Sequence, residues 1–377
     1  MIPYGKQIVD RDDVAAVLAT LESDWLTTGP KVSEFETAVA QFCGASQGVA
    51  IANGTAALHA AYAALGVGPG DEVIVPTMTF AATANAAVYL GATPIFADVS
   101  PDTLLIDPAK VEALVTTKTR AIVGVDYGGQ PCNWDALSMI AKKHRLATVA
   151  DGAHAIGGEW SGRRVGTLAD LTTFSFHPVK HITTGEGGMI MTHNAELAAK
   201  MRVFRNHGIV TDTRQREEKG TFEYEMVSLG YNYRLSDIQC ALGTSQLKKL
   251  TQWLERRRAI AQRYDGIFQK TRLVAPLAVQ AEANHAYHLY VVKLAEGVDR
   301  MRVFRALRGK GIAANVHYVP VHLHPFYRDR FQTQVGQCPI AEAAYARILS
   351  LPLWAGLDDE TVDSVAEKVI ACASECA

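Results

Sequence analysis

The 377-residue sequence predicts an α/β protein built on a large, mostly parallel sheet, with a smaller α+β domain following it. Three observations point there. Short runs apolar on both faces recur at 49–52, 72–75, 93–96, 121–125, 147–150 and 171–176. Helix-length patterns lie between several of them, at 56–65, 83–90 and 134–144. Strands buried on both faces and separated by helices belong to a parallel sheet with helices on its faces. Near residue 245 the texture changes to a charged amphipathic stretch, which places a large domain at 1–245 and a small one at 246–377.

Taken in order, Ser33-Glu34-Phe35-Glu36 reads as a capping box, with Phe35, Val39 and Phe42 forming the buried stripe of the helix behind it. The strand and helix alternation follows. The segment 246–265 reads as a helix whose run Glu255-Arg256-Arg257-Arg258 is a solvated face. Beyond it, 288–294 alternates as a strand, and 301–309 and 359–372 read as helices. No repeat, low-complexity tract or linker separates the two parts, so they are expected to pack tightly.

Composition narrows the function. Lys plus Arg is 37 against 39 for Asp plus Glu, a net charge of -2, so no long-range field gathers nucleic acid or an anionic membrane. The N-terminus lacks a basic region followed by an apolar one, and no run of 18 apolar residues exists, so neither secretion nor a membrane span is expected. Six cysteines without a CxxC pair read as reduced thiols of a cytoplasmic protein. His317, His322 and His324 invite a metal reading, with His322 and His324 on one side of a strand. No carboxylate or cysteine accompanies them at ligand spacing, so no metal is expected.

Ligands of open α/β sheets sit beyond the carboxyl ends of the strands, so the residues there carry the functional argument. No phosphate-loop motif is present. Gly185-Glu186-Gly187-Gly188 precedes a strand rather than a helix, which disfavours a dinucleotide-binding turn. Asn53-Gly54-Thr55-Ala56 follows the first strand and opens a helix, either as a plain cap or as a cup for a phosphate monoester. Asp151 ends the strand 147–150, as a cap or as a carboxylate that keeps a heteroaromatic nitrogen protonated. Phe174-Ser175-Phe176-His177-Pro178-Val179-Lys180 carries one lysine into a loop of small and apolar residues, a setting that lowers an amine's pKa. A phosphate cup, a strand-end acid and such a lysine are the requirements of pyridoxal 5'-phosphate.

The motifs N-G-T-A, P-T-M-T-F-A-A-T-A-N, D-G-A-H-A, F-S-F-H-P-V-K and G-Y-N-Y-R-L-S-D-I-Q together resemble the DegT-type sugar aminotransferases, over nearly the whole chain. The resemblance implies the fold type I of pyridoxal-phosphate-dependent transferases. It implies that Lys180 is the Schiff-base lysine and later the proton shuttle, that Asp151 pairs with the pyridine nitrogen, and that His154 lies near the ring hydroxyl. By the same carry-over Phe80 stacks on the cofactor ring. Thr55, Ala56 and Ser175 contact its phosphate, and Asn232 reaches the phosphate of the neighbouring subunit's cofactor in a homodimer with shared sites. A related subgroup with histidine for lysine performs dehydration; Lys180 favours amino transfer.

Within that family the likeness of F-S-F-H-P-V-K-x-I-T-T-x-E-G-G and V-H-Y-V-P-V-H-L-H-P-F-Y is to the C4 aminotransferases of pseudaminic acid biosynthesis. His181 stands where proline is common. The subfamily implies a UDP-linked 4-keto-6-deoxy-2-acetamido sugar as substrate and glutamate as amino donor. Tyr4, Leu26, Thr27, Thr28, Arg234, Asn315, Val316, His317 and Tyr318 would line the sugar-nucleotide pocket. Alternatives are another nucleotide-linked keto-sugar, of perosamine or viosamine type, and a non-catalytic regulatory protein on the same scaffold.

Overall fold

A computed structural model describes residues 1–211, 213–218 and 220–377. Its centre is a seven-stranded sheet made of β1 (Gln47–Ile51), β2 (Glu72–Pro76), β3 (Thr93–Ala97), β4 (Thr119–Val125), β5 (Ala147–Asp151), β8 (Leu171–Ser175) and β9 (Gly188–Thr192). Two short strands, β6 (Glu159–Trp160) and β7 (Arg163–Arg164), lie between β5 and β8 in the chain. The strand order is β1-β9-β8-β5-β4-β2-β3, and only β9 runs against the others. All the apolar runs expected as strands are strands here, and their residues are almost entirely buried. Helices Gly54–Ala64, Ala81–Tyr89 and Trp134–His144 cover the sheet where the sequence places them.

A second sheet contains β10 (Val274–Pro276), β12 (Tyr290–Leu294) and β13 (Ile348–Leu351), backed by helices Leu250–Phe268, Arg300–Gly309 and Asp359–Glu375. Its own core gathers Tyr264, Phe268, Val292, Leu294, Leu349 and Val365. A third small sheet joins β6 and β7 to β11 (Ala283–Asn284). Val321, Tyr327, Cys338 and Ala341 belong to the larger core, although they follow residue 245 by a wide margin. The N-terminal segment crosses the other way, with Ile2 bridging Ile312 and the Leu353 amide donating to Tyr4 O.

Three expectations are corrected. The helix at Phe35 begins at Pro30, capped by Gly29, so Ser33 is inside it and no capping box forms. Proline fixes the first-turn φ and starts the helix four residues early. Glu36 is instead buried, where it accepts from the Ala50 amide at 2.9 Å and pairs with Arg205. The amphipathic stretch at 246 divides between helices Asp237–Leu247 and Leu250–Phe268. Its basic run is not one solvated face. Arg257 is buried and donates to the carbonyls of Tyr287 and Leu353 at 3.1 and 3.2 Å, while Arg258 donates to His285 O at 3.0 Å. Those carbonyls lie on segments that run between the two cores, and the guanidinium forks tie them together. Third, residues Val321–Leu323 make a turn of 3-10 helix rather than a strand. His322 is held between Thr77 and Glu342, and its Nε2 lies 3.0 Å from Glu342 Oε1.

No helix among the described residues is long and apolar enough to cross a membrane.

Candidate active site

Every strand of the large sheet except β9 ends on the same edge. There a cavity of about 590 Å³ opens, lined by the ends of β4, β5 and β8 and by the loops after β1 and β2. Asp151 is the last residue of β5 and Ser175 the last of β8. Lys180 follows five residues on, in a turn where its own amide donates to His177 O at 2.9 Å.

Lys180 and Asp151 both line this cavity. Burial pushes the Lys180 amine down to about 8, with Asp151 partly opposing it. Burial pushes the Asp151 carboxyl up, against hydrogen bonds from Thr83 and from the Ala153 amide. Thr83 Oγ1 donates to Asp151 Oδ2 at 2.7 Å and itself contacts Thr79 Oγ1 at 2.8 Å. A buried carboxylate fixed this way is stabilised by a cationic ring nitrogen placed against it.

His154 is buried one turn past Asp151. The Gly128 amide donates to its Nδ1 at 3.3 Å, so the ring proton sits on Nε2, which faces Tyr318 Oη at 3.0 Å. Burial holds this imidazole well below its ordinary pKa, in the neutral form. Phe80 caps the helix Ala81–Tyr89, lines the cavity and is 60% exposed, with its ring 6.0 Å from that of Tyr318.

The phosphate cup is narrower than the sequence suggested. Asn53 caps the helix Gly54–Ala64 through its side chain, which accepts the Ala56 amide at 2.8 Å. Thr55 and Ser175 line the cavity, while Ala56 lies behind the wall with its amide engaged. Gly54 and Asn53 line it as well, and neither was singled out as a contact residue. A Cβ on Gly54 would stand 2.9 Å from Ser175 Cβ, so only glycine lets the two loops approach.

Of the nine residues expected around a substrate, Tyr4, Asn315, Val316, His317 and Tyr318 line the same cavity. His317 Nδ1 is 2.8 Å from Ser350 Oγ, and the Tyr4 ring lies 5.1 Å from the His317 ring. The other four stand apart. Thr28 and Arg234 line a second cavity of about 400 Å³ with Arg202, Arg205 and Asn206. Leu26 and Thr27 border it through the pairing of Thr27 with Ser236 and the bond from the Asp237 amide to Leu26 O. Asn232 belongs to this second group, bridged to Asn206, to which Arg234 also donates at 3.0 Å. Within one chain the two groups do not meet.

Sequence reasoning also missed His288, which lines the cavity. Its Nε2 is 3.4 Å from Lys180 Nζ. It sits two residues before β12 in a stretch that reads as strand, so nothing in the pattern marked it.

The sequence signature of the DegT/DnrJ/EryC1/StrS aminotransferase family matches residues 7–370. The chain belongs to that family. It is 43% identical over 374 residues to the spore coat polysaccharide biosynthesis protein SpsC of Bacillus subtilis, covering 98% of this chain and 96% of that protein. Among solved structures it matches PseC of Helicobacter pylori, an aminotransferase involved in the biosynthesis of pseudoaminic acid. The identity there is 34%, the TM-score 0.94 and the coverage 99% of both chains. It also matches the putative sugar aminotransferase Spr1654 of Streptococcus pneumoniae in its PMP form, at 32% identity, TM-score 0.95 and 100% of both chains.

As a DegT/DnrJ/EryC1/StrS family member, the protein is a pyridoxal-phosphate-dependent sugar aminotransferase with the fold type I architecture. The cavity fits that cofactor. It offers a buried acid for the ring nitrogen, a partly buried amine with a depressed pKa, and a glycine-serine approach at a helix N-terminus. Bound there, the cofactor supplies an electron sink for the carbon that loses its proton. The chain does the rest. Asp151 would hold the ring nitrogen's proton, with Thr83 Oγ1 orienting that carboxylate, and Lys180 Nζ, freed of its own proton, would be a base inside the same cavity.

Proposed function

We propose that this aminotransferase transfers an amino group from glutamate to C4 of a UDP-linked 4-keto-6-deoxy-2-acetamido sugar, for pseudaminic acid or a related surface glycan. The observation that carries the reading is the polar wall of Tyr4, Asn315, His317 and Tyr318 in the same cavity as Lys180. Hydroxyl, amide and imidazole groups of this kind pair with sugar hydroxyls and an acetamido group. The likeness to the Helicobacter pylori aminotransferase of pseudoaminic acid biosynthesis, at full chain length, supports the choice of sugar.

A second copy of the chain completes the site in this reading. Asn232, Arg234, Leu26, Thr27 and Thr28 cluster away from Lys180 in one chain, and a homodimer would bring them to the partner's cavity. The guanidinium of Arg234 is then available to a diphosphate. Phe222, Tyr224, Met226 and Leu229, all exposed in the single chain, are apolar surface suited to such burial. A cytoplasmic location accords with six cysteines that are all free and buried.

One observation favours a second reading. The Bacillus subtilis spore coat relative is more identical to this chain than PseC is, so another nucleotide-linked keto-sugar, of perosamine or viosamine type, is the competing substrate. Product analysis by mass spectrometry and NMR separates the two, using glutamate with a panel of UDP-, GDP- and dTDP-linked 4-keto sugars. The UDP-acetamido substrate is expected to give the highest kcat/KM. A site whose buried polar groups lose their partners discriminates by up to about 10⁴-fold. Equal or better turnover of GDP-4-keto-6-deoxymannose would overturn the sugar assignment.

A further inference from the structure

Beside Lys180 the structure assembles three imidazoles that the reaction as derived above does not use as a group. His288 Nε2 lies 3.4 Å from Lys180 Nζ, and the His288 ring packs on that of His154 with centroids 4.4 Å apart. The His181 ring is 5.7 Å from His288 on another side, its Nε2 donating to Ala286 O at 2.9 Å. Arg257 lies below, its Nη1 3.5 Å from His288 O. The other ionisable groups facing this cluster among the described residues are Asp151, His285, His317, Tyr127 and Tyr318. All three imidazoles are buried, and among the described residues His288 Nδ1 has no hydrogen-bond partner.

The unpartnered nitrogen decides the tautomer. A buried N–H without an acceptor is rarer and costlier than a buried lone pair without a donor. The proton of His288 therefore sits on Nε2, and that N–H points at Lys180 Nζ. An amine can accept it only when it is unprotonated. A cationic His288 would need a second acceptor at Nδ1, which is absent, and would face Arg257 and Lys180.

We propose that His288 is a positioning residue for Lys180, donating its Nε2–H to the lysine's lone pair and so stabilising the neutral amine and fixing the direction of that lone pair. Burial and the neighbouring cations hold His288 itself well below its ordinary pKa, consistent with a permanently neutral donor. Burial alone lowers the lysine, and the donated hydrogen bond adds to it in the same direction. His154 needs no such role, because its Nε2–H is committed to Tyr318. His288 acts on the base and not on the substrate, so it tunes when Lys180 is active rather than what it acts on.

The test uses the protein with its cofactor removed and reads Lys180 directly. The rate of Lys180 carbamoylation by cyanate, followed by peptide mass spectrometry across pH, gives the amine's pKa. In the wild type it is expected near 8. His288→Phe removes the donor and offers a ring face that favours the ammonium form, so the midpoint should rise by about one pH unit, the size of one neutral hydrogen bond. His288→Gln, which keeps a donor at about the Nε2 position, should hold the wild-type midpoint. An unchanged or lowered midpoint in folded His288→Phe protein overturns the proposal. Should that variant not fold, ¹⁵N-histidine NMR of the wild type, with the His288 signal assigned by its loss in His288→Gln, decides the matter. An Nε2–H tautomer supports the assignment, and an Nδ1–H or doubly protonated ring at neutral pH refutes it.

Discussion

Gly54 and Ser175 come from opposite ends of the site's chain segment, one opening a helix and the other ending β8, and they meet so closely that a Cβ on the glycine would lie 2.9 Å from the serine's Cβ. This contact brings the helix N-terminus and the serine hydroxyl into one cup. Gly54→Ala must push the two loops apart. Overpacking of this kind costs about 1–3 kcal/mol, so affinity for pyridoxal phosphate should fall roughly 5- to 150-fold, measured by equilibrium dialysis. Unchanged affinity would mean that the cup does not hold the phosphate.

Asp151 gives a second expectation. Its carboxylate is buried and held by Thr83 Oγ1 at 2.7 Å, and Asp151→Asn keeps the shape while removing the charge. Breaking a buried pair by removing one partner costs about 3–5 kcal/mol. The rate of amino transfer from glutamate to the bound cofactor should therefore drop by roughly 150- to 5,000-fold, read from the absorbance change in a stopped-flow instrument.

How much of this was legible in the chain follows from the physics of each part. The strands were readable because both faces are buried, leaving continuous apolar runs such as Ile122-Val123-Gly124-Val125. Asp151, Ser175 and Lys180 were readable because a parallel sheet places strand ends on one edge. Arg257 was misread because charge patterning cannot report that backbone carbonyls, contributed by Tyr287 and Leu353, wait for a buried guanidinium. His288 was invisible for a related reason: its partner is 108 residues away in sequence. The helix start at Pro30 was missed because Ser33-x-x-Glu36 fits a capping box on paper, whereas Glu36 is committed to Arg205.

The amine of Lys180 also makes a prediction about stability. Its pKa is lowered in the folded state to about 8 from 10.5, so between those values the unfolded chain binds the extra proton. Stability of the cofactor-free protein should rise with pH through that window, by on the order of 3 kcal/mol once it is passed, and fall back as pH drops through about 8. Lys180→Met removes this contribution. The difference in denaturation midpoints between wild type and Lys180→Met, followed from pH 7 to 10.5, isolates it from buried thiols and phenols that titrate at higher pH. A difference that does not change across the window would contradict the depressed amine.

The division of expected substrate residues into two groups carries an assembly prediction. If Asn232 serves the partner's cavity, neither Lys180→Ala nor Asn232→Ala homodimers have an intact site, but a mixed dimer has one. Mixing the two inactive variants under conditions of proven subunit exchange should restore up to about a quarter of the wild-type activity per protomer, since half the dimers are mixed and each has one intact site of two. No recovery would count against shared sites.

The most direct test of the account is where the cofactor is attached. The loaded enzyme, reduced with borohydride and digested, should carry the pyridoxyl group on the peptide containing Lys180 and on no other lysine, and Lys180→Arg should lose both the label and amino transfer. Label on a different lysine, or full turnover by Lys180→Arg, would contradict the placement of the reaction at the β5 and β8 edge.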